Sequence, residues 1–482
     1  MDLIEPARTD RGPAATTAEG GGAPGGAGGR PRRLSYYTRQ LFRLFELHIP
    51  PGGRILEVGV RDAGDLLASL KPGEGVGVDA DEAVIREAQA RHPGLTFVHA
   101  PLDRFDLGPR RFDFIIVSTA LATAEDVQSL FARVGHACRA DTRIVIAYHN
   151  ALWEPLLKLA TRVGLRKRTG EQNWLSLHDL SNLAYLAGLE IIRKSGEVLM
   201  PAPIPLLAGL MNRFVARFWP FGHLGLVQVL VARAVAAPPE LRAPRVSVVI
   251  PTRNERGNIE AAIQRTPEMG AGTEIIFVDG NSTDGTADEI EAQIAARPQR
   301  NMKLIPQGDG RGKGDAVRKG FAAATGDILM ILDADLTVPP ELLPRFVEAI
   351  TSGRGEFING TRLVYPMEDQ AMRFLNKLGN RFFSMVFTWL LSQPLRDTLC
   401  GTKVLSKKNY DTIAANRHFF GDFDPFGDFD LLLGAAKANL KIVEIPVRYK
   451  ARTYGTTNIS RFRHGWLLLK MSWFAFWRLK LR

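Results

Sequence analysis

Asp333 and Asp335 close the apolar run ILMILDADL. In an extended segment residues i and i+2 point to the same side, so the two carboxylates would face one way at the end of a buried strand. Hard oxygen donors placed like this suit a divalent cation together with diphosphate oxygens. The plainer alternative is a turn with two solvated acids. Three more segments end in residues of the same kind. Pro251, Arg253 and Glu255 lie in PTRNE after one apolar run, and Asp279 ends a second in VDGNSTDGT. Lys313 stands among the glycines of GRGKG, where backbone can approach a phosphate closely and the ammonium acts as a point charge. Four such pieces, each at the carboxyl end of a strand, converge on one crevice.

The elements that must hold them are strands alternating with helix-length stretches: VSVVIPT, EIIFVDG, KLIPQG and DILMILDAD. Earlier in the chain RILEVGV, GVGVDA, FDFIIVS and TRIVIAYHN repeat the pattern. The earlier set predicts a doubly wound parallel sheet, and the later set a second α/β domain. AAPPELRAPR, at 236–245, is a Pro-rich break between them. A chain of 482 residues is too long for one ordinary domain. The reading is a Gly/Pro-rich disordered tail at 1–33, one α/β domain at 34–235, a linker, a second α/β domain at 246–460, and an amphipathic helix at 461–482.

Composition narrows the function classes. The chain is 45% hydrophobic and 23% charged, as for a soluble globular protein. Two cysteines without CxxC spacing argue against a zinc or disulfide framework and fit a reducing, cytoplasmic setting. No run of about 18 apolar residues predicts a membrane span, and no N-terminal signal segment is visible. A formal charge of +11 favours an anionic partner, whether nucleotide phosphates, anionic lipid or nucleic acid.

The ordered set PTRNE, VDGNSTDGT, GRGKGDAVRKG and LDADLTVPPE resembles family 2 glycosyltransferases of GT-A fold. The later segments FINGTR, DTLCGTKVL and FGDFDLLLGAAKANLKIVEIPVRYKARTYGTTNIS resemble the polyprenol-phosphate mannose or glucose synthase branch. The resemblance covers about 200 residues and implies roles. Pro251, Arg253 and Glu255 would line the nucleotide pocket, with Asp279 near the base and Lys313 near the ribose and diphosphate. Asp333 and Asp335 would hold Mg²⁺ or Mn²⁺, and Arg362 would lie near the donor phosphates. Arg452, Thr457 and Asn458 would clamp the acceptor phosphate. Two positions depart from the pattern: Gly280 stands where a second acid often follows Asp279, and Thr457-Asn458 stands where the clamp often ends Ser-Lys.

The implied function is metal-dependent transfer of a hexose from a nucleotide sugar to a polyprenyl phosphate or related lipid carrier. A phosphate acceptor needs little general base, because a monoester is largely ionised near neutrality. A glycan hydroxyl acceptor, the alternative, needs a positioned carboxylate. Asp430 in FGDFDLL is then the candidate and Asp428 the second choice. Either acid could equally be a helix-start residue favoured by the dipole.

Tryptophans and phenylalanines between Trp466 and Trp477, rimmed by Lys470, Arg478, Lys480 and Arg482, suit a helix lying in a membrane interface, or a terminal helix docked on a core. The expectation is peripheral attachment to the cytoplasmic membrane surface. FFSMVFTWLL, at 382–391, is an apolar run too short to span.

In the first domain, ILEVGVRDAGD resembles motif I of class I SAM-dependent methyltransferases. The resemblance implies S-adenosylmethionine held by Glu57, Gly59 and Gly64, with Asp79 on the ribose and Asp103 near the adenine. Arg61, followed by Asp62, departs from it in place of a small residue. The alternatives are a methyltransferase activity or a degenerate scaffold. His149, just after a strand, reads foremost as a structural histidine. Nucleic acid is not expected as a partner, because no Asn/Asp-Pro-Pro-Tyr base-flipping motif is present.

Overall fold

The computed structural model describes residues 34–163, 173–218, 221–236, 238–310, 312–362, 374–417, 428–448, 454 and 461–480. The chain divides into two compact units. The first holds residues up to 137, 144–187 and 195–230; the second holds 138–143, 188–194 and 231 onward.

The first sheet has seven strands: β1 (Arg54–Val58), β2 (Glu74–Asp79), β3 (Thr96–His99), β4 (Phe112–Val117), β5 (Cys138–His149), β6 (Leu189–Glu197) and β7 (Val227–Ala234). Their order is β3-β2-β1-β4-β5-β7-β6. β1 runs parallel to both β2 and β4, so successive strands leave it in opposite directions. A crevice therefore opens at the carboxyl ends of β1 and β4. The four strands expected from RILEVGV, GVGVDA, FDFIIVS and TRIVIAYHN are β1, β2, β4 and β5. Helix Tyr36–His48 starts at Ser35, whose Oγ accepts from Thr38 N at 3.1 Å. It buries Tyr37, Leu41, Phe42 and Phe45 at helical spacing.

The second sheet comprises β8 (Val246–Thr252), β9 (Thr273–Asp279), β10 (Asn301–Pro306), β11 (Ile328–Ile331), β12 (Phe357–Thr361), β13 (Lys403–Ser406) and β14 (Ile442–Pro446), in the order β10-β9-β8-β11-β13-β12-β14. β8 is parallel to β9 and β11. β9 and β11 are buried throughout, which is why they read as continuous apolar runs rather than alternating ones. β13 is antiparallel to both β11 and β12. It makes this sheet mixed.

One local difference bears on the site. β11 ends at Ile331, so Asp333 and Asp335 lie in the following loop rather than on the strand. Asp335 Oδ1 accepts from Thr337 N at 3.2 Å and Thr337 Oγ1 at 2.8 Å, and Leu336 has φ +51°. A tight turn, not an extended pleat, orients the second acid.

Candidate active site

The strand order of the second sheet reverses beside β8, between β9 and β11, which marks its ligand crevice. Thr252 and Asp279 are register partners at the carboxyl ends of β8 and β9. The two loops that follow are sewn together. Asn254 N donates to Ser282 Oγ at 2.9 Å, Asn254 Oδ1 accepts from Thr283 N at 2.8 Å, and Glu255 N donates to Thr286 Oγ1 at 3.0 Å. Asn254 does this with φ +58°, a left-handed conformation that asparagine tolerates better than most residues. Asp279 spends its carboxylate on its own loop, accepting from Ser282 N at 3.0 Å and Ser282 Oγ at 2.5 Å. Glu255 accepts from Asn258 Nδ2 at 2.7 Å. Pro251 is half-buried, whereas Arg253 is exposed and makes no ion pair among the described residues.

Gly280 is bare for a local reason. A Cβ there would stand 2.9 Å from Oε1 of the buried Gln307, whose Nε2 is held by Gly312 O at 2.9 Å and Asp315 Oδ2 at 3.0 Å. Gln307, at the end of β10, carries no motif signal and was invisible in the sequence.

Lys313 and Asp333 meet directly, Nζ to Oδ1 at 2.6 Å. Burial pushes the Asp333 carboxyl up, but Lys313, Lys403 and Arg362 outweigh it and hold the group below the usual range. Gly401 closes over this pair; a Cβ there would overlap Asp333 Oδ2 and press on Lys313 Nζ. Arg362 itself is engaged by the fully buried Asp397. Its Nε donates to Oδ2 at 2.7 Å, its Nη2 to Oδ1 at 2.8 Å, and its backbone N to Oδ2 at 3.0 Å. Lys403, also fully buried, donates to Cys400 O at 2.5 Å. From the DTLCGTK segment Lys403 adds a cation beside Asp333 and Asp397 holds Arg362 in place; the sequence reading assigned no residue of that segment a site role. The hydroxyls of Thr361, Thr398 and Thr402 in the same region are buried without a hydrogen-bond partner among the described residues.

Asp430 lies on helix Asp428–Lys437, with Oδ2 accepting from Arg417 Nε at 2.9 Å. Asp428 opens that helix, and its side chain is outside the described residues, as are Arg452, Thr457 and Asn458. Tyr454 from that last stretch lays its ring against Gly257, where a Cβ would come within 2.7 Å of the ring. This brings Tyr454 to the helix that follows PTRNE.

Two oxygen-donor acids, one of them kept ionised by its neighbours, fit a hard divalent cation. Among the described residues no group of three or more His, Cys, Asp or Glu is gathered for a metal. Such a cation would take its remaining ligands from diphosphate or water.

In the first unit Gly59 turns at φ +79° after β1, packed against Thr119 and Ala120. Gly64 has φ +84° and lies against Phe97. Glu57 is fully buried, and desolvation drives its carboxyl up to about 8 even though Arg61 N donates to Oε1 at 2.9 Å. Glu57 Oε2, Arg61 Nε, Asp62 Oδ2 and Ser118 Oγ are buried around this crevice without hydrogen-bond partners among the described residues. Asp79 accepts from Val60 N and Asp81 N, each at 2.8 Å, so its carboxylate holds the loop. Asp103 meets Arg104 at 3.3 Å and lines a surface cleft with Glu125 and Asp126. His149 bonds Tyr37 Oη at 3.1 Å.

The terminal helix Arg461–Leu479 has two faces. Phe476 stacks on Trp389 of helix Phe374–Leu391 at 5.5 Å, while Trp466, Trp473 and Trp477 stay exposed. Among the described residues no helix is long and apolar enough to cross a membrane.

Fold and crevices together define two α/β units, a Rossmann-like methyltransferase fold followed by a GT-A glycosyltransferase fold. Residues 247–410 match glycosyl transferase family 2, and residues 30–194 match a methyltransferase domain. A dolichol-phosphate mannosyltransferase of Pyrococcus furiosus is 30% identical over 237 residues, 47% of this chain and 64% of its own length. An undecaprenyl-phosphate 4-deoxy-4-formamido-L-arabinose transferase of Pectobacterium carotovorum is 30% identical over 219 residues, 45% of this chain and 62% of its own. The chain thus spans less than two thirds of the length of these curated relatives. The crystal structure of glucosyl-3-phosphoglycerate synthase from Mycobacterium tuberculosis with Mn²⁺, UDP and glucosyl-3-phosphoglycerate aligns over 50% of this chain and 81% of its own, with 18% identity and a TM-score of 0.36.

Proposed function

We propose that the second unit transfers a hexose from a nucleotide sugar to a polyprenyl phosphate, with Mg²⁺ or Mn²⁺ at Asp333 and Asp335. The observation that carries the reading is the Lys313–Asp333 pair at 2.6 Å, beside the crevice at the ends of β8 and β9. The names of the two relatives support the acceptor. In this reading Lys313 supplies a point charge to the diphosphate, and Asp333 stays ionised to receive a cation. A bound cation would stabilise the charge developing on the nucleoside diphosphate as it leaves. Pro251, Arg253, Glu255 and Asp279 shape the nucleotide pocket, with Asp279 acting through its loop. Arg362 acts through the charge it adds beside Asp333. Arg452, Thr457 and Asn458 meet the acceptor phosphate.

A hydroxyl acceptor would need Asp430 or Asp428 as base. Arg417 already engages Asp430 Oδ2, which favours the phosphate acceptor, since that acceptor arrives ionised. The exposed tryptophans of the terminal helix support contact with a lipid interface, in this reading at the cytoplasmic membrane surface.

The test is turnover of UDP- and GDP-sugars by the full chain with a short polyprenyl phosphate and Mn²⁺ or Mg²⁺. Lipid-linked product that vanishes in Asp335→Asn is expected. Product on a glycan hydroxyl, and none on the lipid, would overturn the acceptor.

For the first unit the unpartnered polar atoms around Glu57 favour S-adenosylmethionine as ligand. Equilibrium dialysis with labelled cofactor checks this: saturable binding weakened in Glu57→Ala is expected, and no retention would make the unit a scaffold.

A further inference from the structure

β8, β9 and β10 end on one rim. Thr252 and Pro306 are both register partners of Asp279. The row beyond continues the sheet: Gly280 N donates to Thr252 O and Gln307 N to Asp279 O, each at 2.8 Å. Asn281 Nδ2 then donates to Gly308 O at 2.9 Å, which ties the loop after β9 to the loop after β10. Gly280 and Gln307 are therefore neighbours on the floor of the crevice. Gly280 is half-buried and has no side chain to cover what Gln307 presents.

The surroundings of Gln307 decide what that is. A carboxamide carries two donors at one end and an acceptor at the other. Gly312 O, at 2.9 Å, and Asp315 Oδ2, at 3.0 Å, both face Nε2, so both of its N–H groups are engaged. Burial pushes the Asp315 carboxyl up, but hydrogen bonds from Gln307 and Lys319 outweigh it and hold the group below the usual range, so it stays an acceptor near neutrality. Lys319 Nζ lies 3.1 Å from Asp315 Oδ2 and also bonds Gln307 O. The amide cannot turn over without setting its oxygen against two acceptors. Oε1 is thus left 2.9 Å from the point that a Cβ on Gly280 would take. Among the described residues nothing donates to it. A largely buried acceptor without a donor costs free energy that a ligand N–H recovers. Asp279, another acceptor on this rim, spends its carboxylate on Ser282 N and Oγ.

Distance from the phosphate end points to the part of the ligand that arrives here. In sheet order β10 lies three strands from β11, whose following loop carries Asp333. At about 4.8 Å per strand the offset is roughly 14 Å, on the order of the reach from the phosphates of a nucleoside diphosphate to the far edge of its base.

We propose that, within the nucleotide-sugar reading of the second unit on which this rests, Gln307 reads the donor's base. Its fixed carboxamide oxygen accepts from the ring N–H of a lactam base, uracil or guanine. It rejects cytosine and adenine, whose ring nitrogen brings a lone pair to the same place.

Isothermal titration calorimetry of the full chain with Mn²⁺ tests this by comparing UDP with CDP and GDP with ADP. Each pair shares a ring size and differs in ring N–H against lone pair. The N-methyl forms, 3-methyl-UDP and 1-methyl-GDP, remove the N–H. In wild type the N–H member of at least one pair should bind about 10- to 100-fold more tightly than its partner and its N-methyl form. The N-methyl comparison needs no variant to fold. In Gln307→Ala these ratios should fall close to parity. The backbone of Gly280 lies outside the left-handed region, so Gly280→Ala sets a methyl against Oε1 at no backbone cost. It should weaken the preferred nucleotide and spare its partner. Equal binding of both members of each pair in wild type overturns the assignment. So does a preference kept in Gln307→Ala, or a loss shared equally by all nucleotides, which would make Gln307 an anchor of its loop. In each of these cases nucleotide binding itself stands. No binding of any of the four diphosphates by wild type would overturn the nucleotide-sugar reading, and the assignment with it.

Discussion

Lys313 Nζ lies 2.6 Å from Asp333 Oδ1, so the acid that would receive a cation already carries one. Removing the lysine therefore has two opposed effects. In Lys313→Met the free carboxylate no longer faces a competing ammonium, so Mn²⁺ measured by calorimetry without nucleotide should bind more tightly. The diphosphate loses its point charge, so KM for the nucleotide sugar should rise about 10- to 100-fold. Two changes in the same direction would mean that the lysine serves only to hold the loop.

Gly401 closes over that pair with no room for a side chain. In Gly401→Ala the new Cβ would overlap Asp333 Oδ2 and crowd Lys313 Nζ. The carboxylate and ammonium must part or the loop must move. Transfer rate should fall at least about tenfold, since small misplacements of reacting groups are costly. Secondary structure by circular dichroism should be unchanged. Wild-type turnover in this variant would show that the Asp333 geometry is not used in the reaction.

Arg362 and Asp397 form a buried pair whose side chains are 10% and 0% exposed. The carboxylate also accepts from Leu399 N at 3.0 Å, so it anchors the start of the loop that carries Gly401. Asp397→Asn leaves a buried guanidinium under-compensated, a loss of about 3–5 kcal/mol. Urea unfolding of the full chain, followed by an intrinsic tryptophan signal of the second unit, should show it as a lower midpoint. An unchanged midpoint would show that the pair does not support the loop.

What was legible in the sequence follows from what each element needs. β8, β9 and β11 are buried on both faces, so Val248 to Ile250, Ile275 to Val278 and Ile328 to Ile331 stand out as unbroken apolar runs. β13 was not legible. It is four residues long, it starts on a buried lysine, and its place between β11 and β12 depends on antiparallel pairing that no local pattern announces. Asp333 and Asp335 stand out as candidates from type and spacing, although a turn rather than a pleat orients Asp335. The partner of Arg362 was hidden because Asp397 is 35 residues away, and the segment DTLCGTKVL that it opens does not announce the pairing. Leu152, Leu156 and Leu159 are exposed at ordinary helical spacing. Only accessible surface distinguishes them from a core face.

Glu57 supplies a pH signature for the first unit. Its carboxyl is raised from 4.5 to about 8, chiefly by desolvation. The folded state therefore binds a proton that the unfolded chain has released across the window between those values. Stability falls with pH where the folded state holds the extra proton, so this contribution is full below about 4.5 and gone above about 8. The first unit of the wild-type chain should melt progressively lower from pH 5 to about 8.5, by an amount on the order of a few kcal/mol. Glu57→Gln keeps an oxygen for Arg61 N and cannot ionise, so it should flatten the profile and be the more stable form at the alkaline end. Differential scanning calorimetry across that range reads both curves. If wild type and Glu57→Gln follow the same slope, Glu57 ionises freely in the folded chain and another group sets the pH dependence.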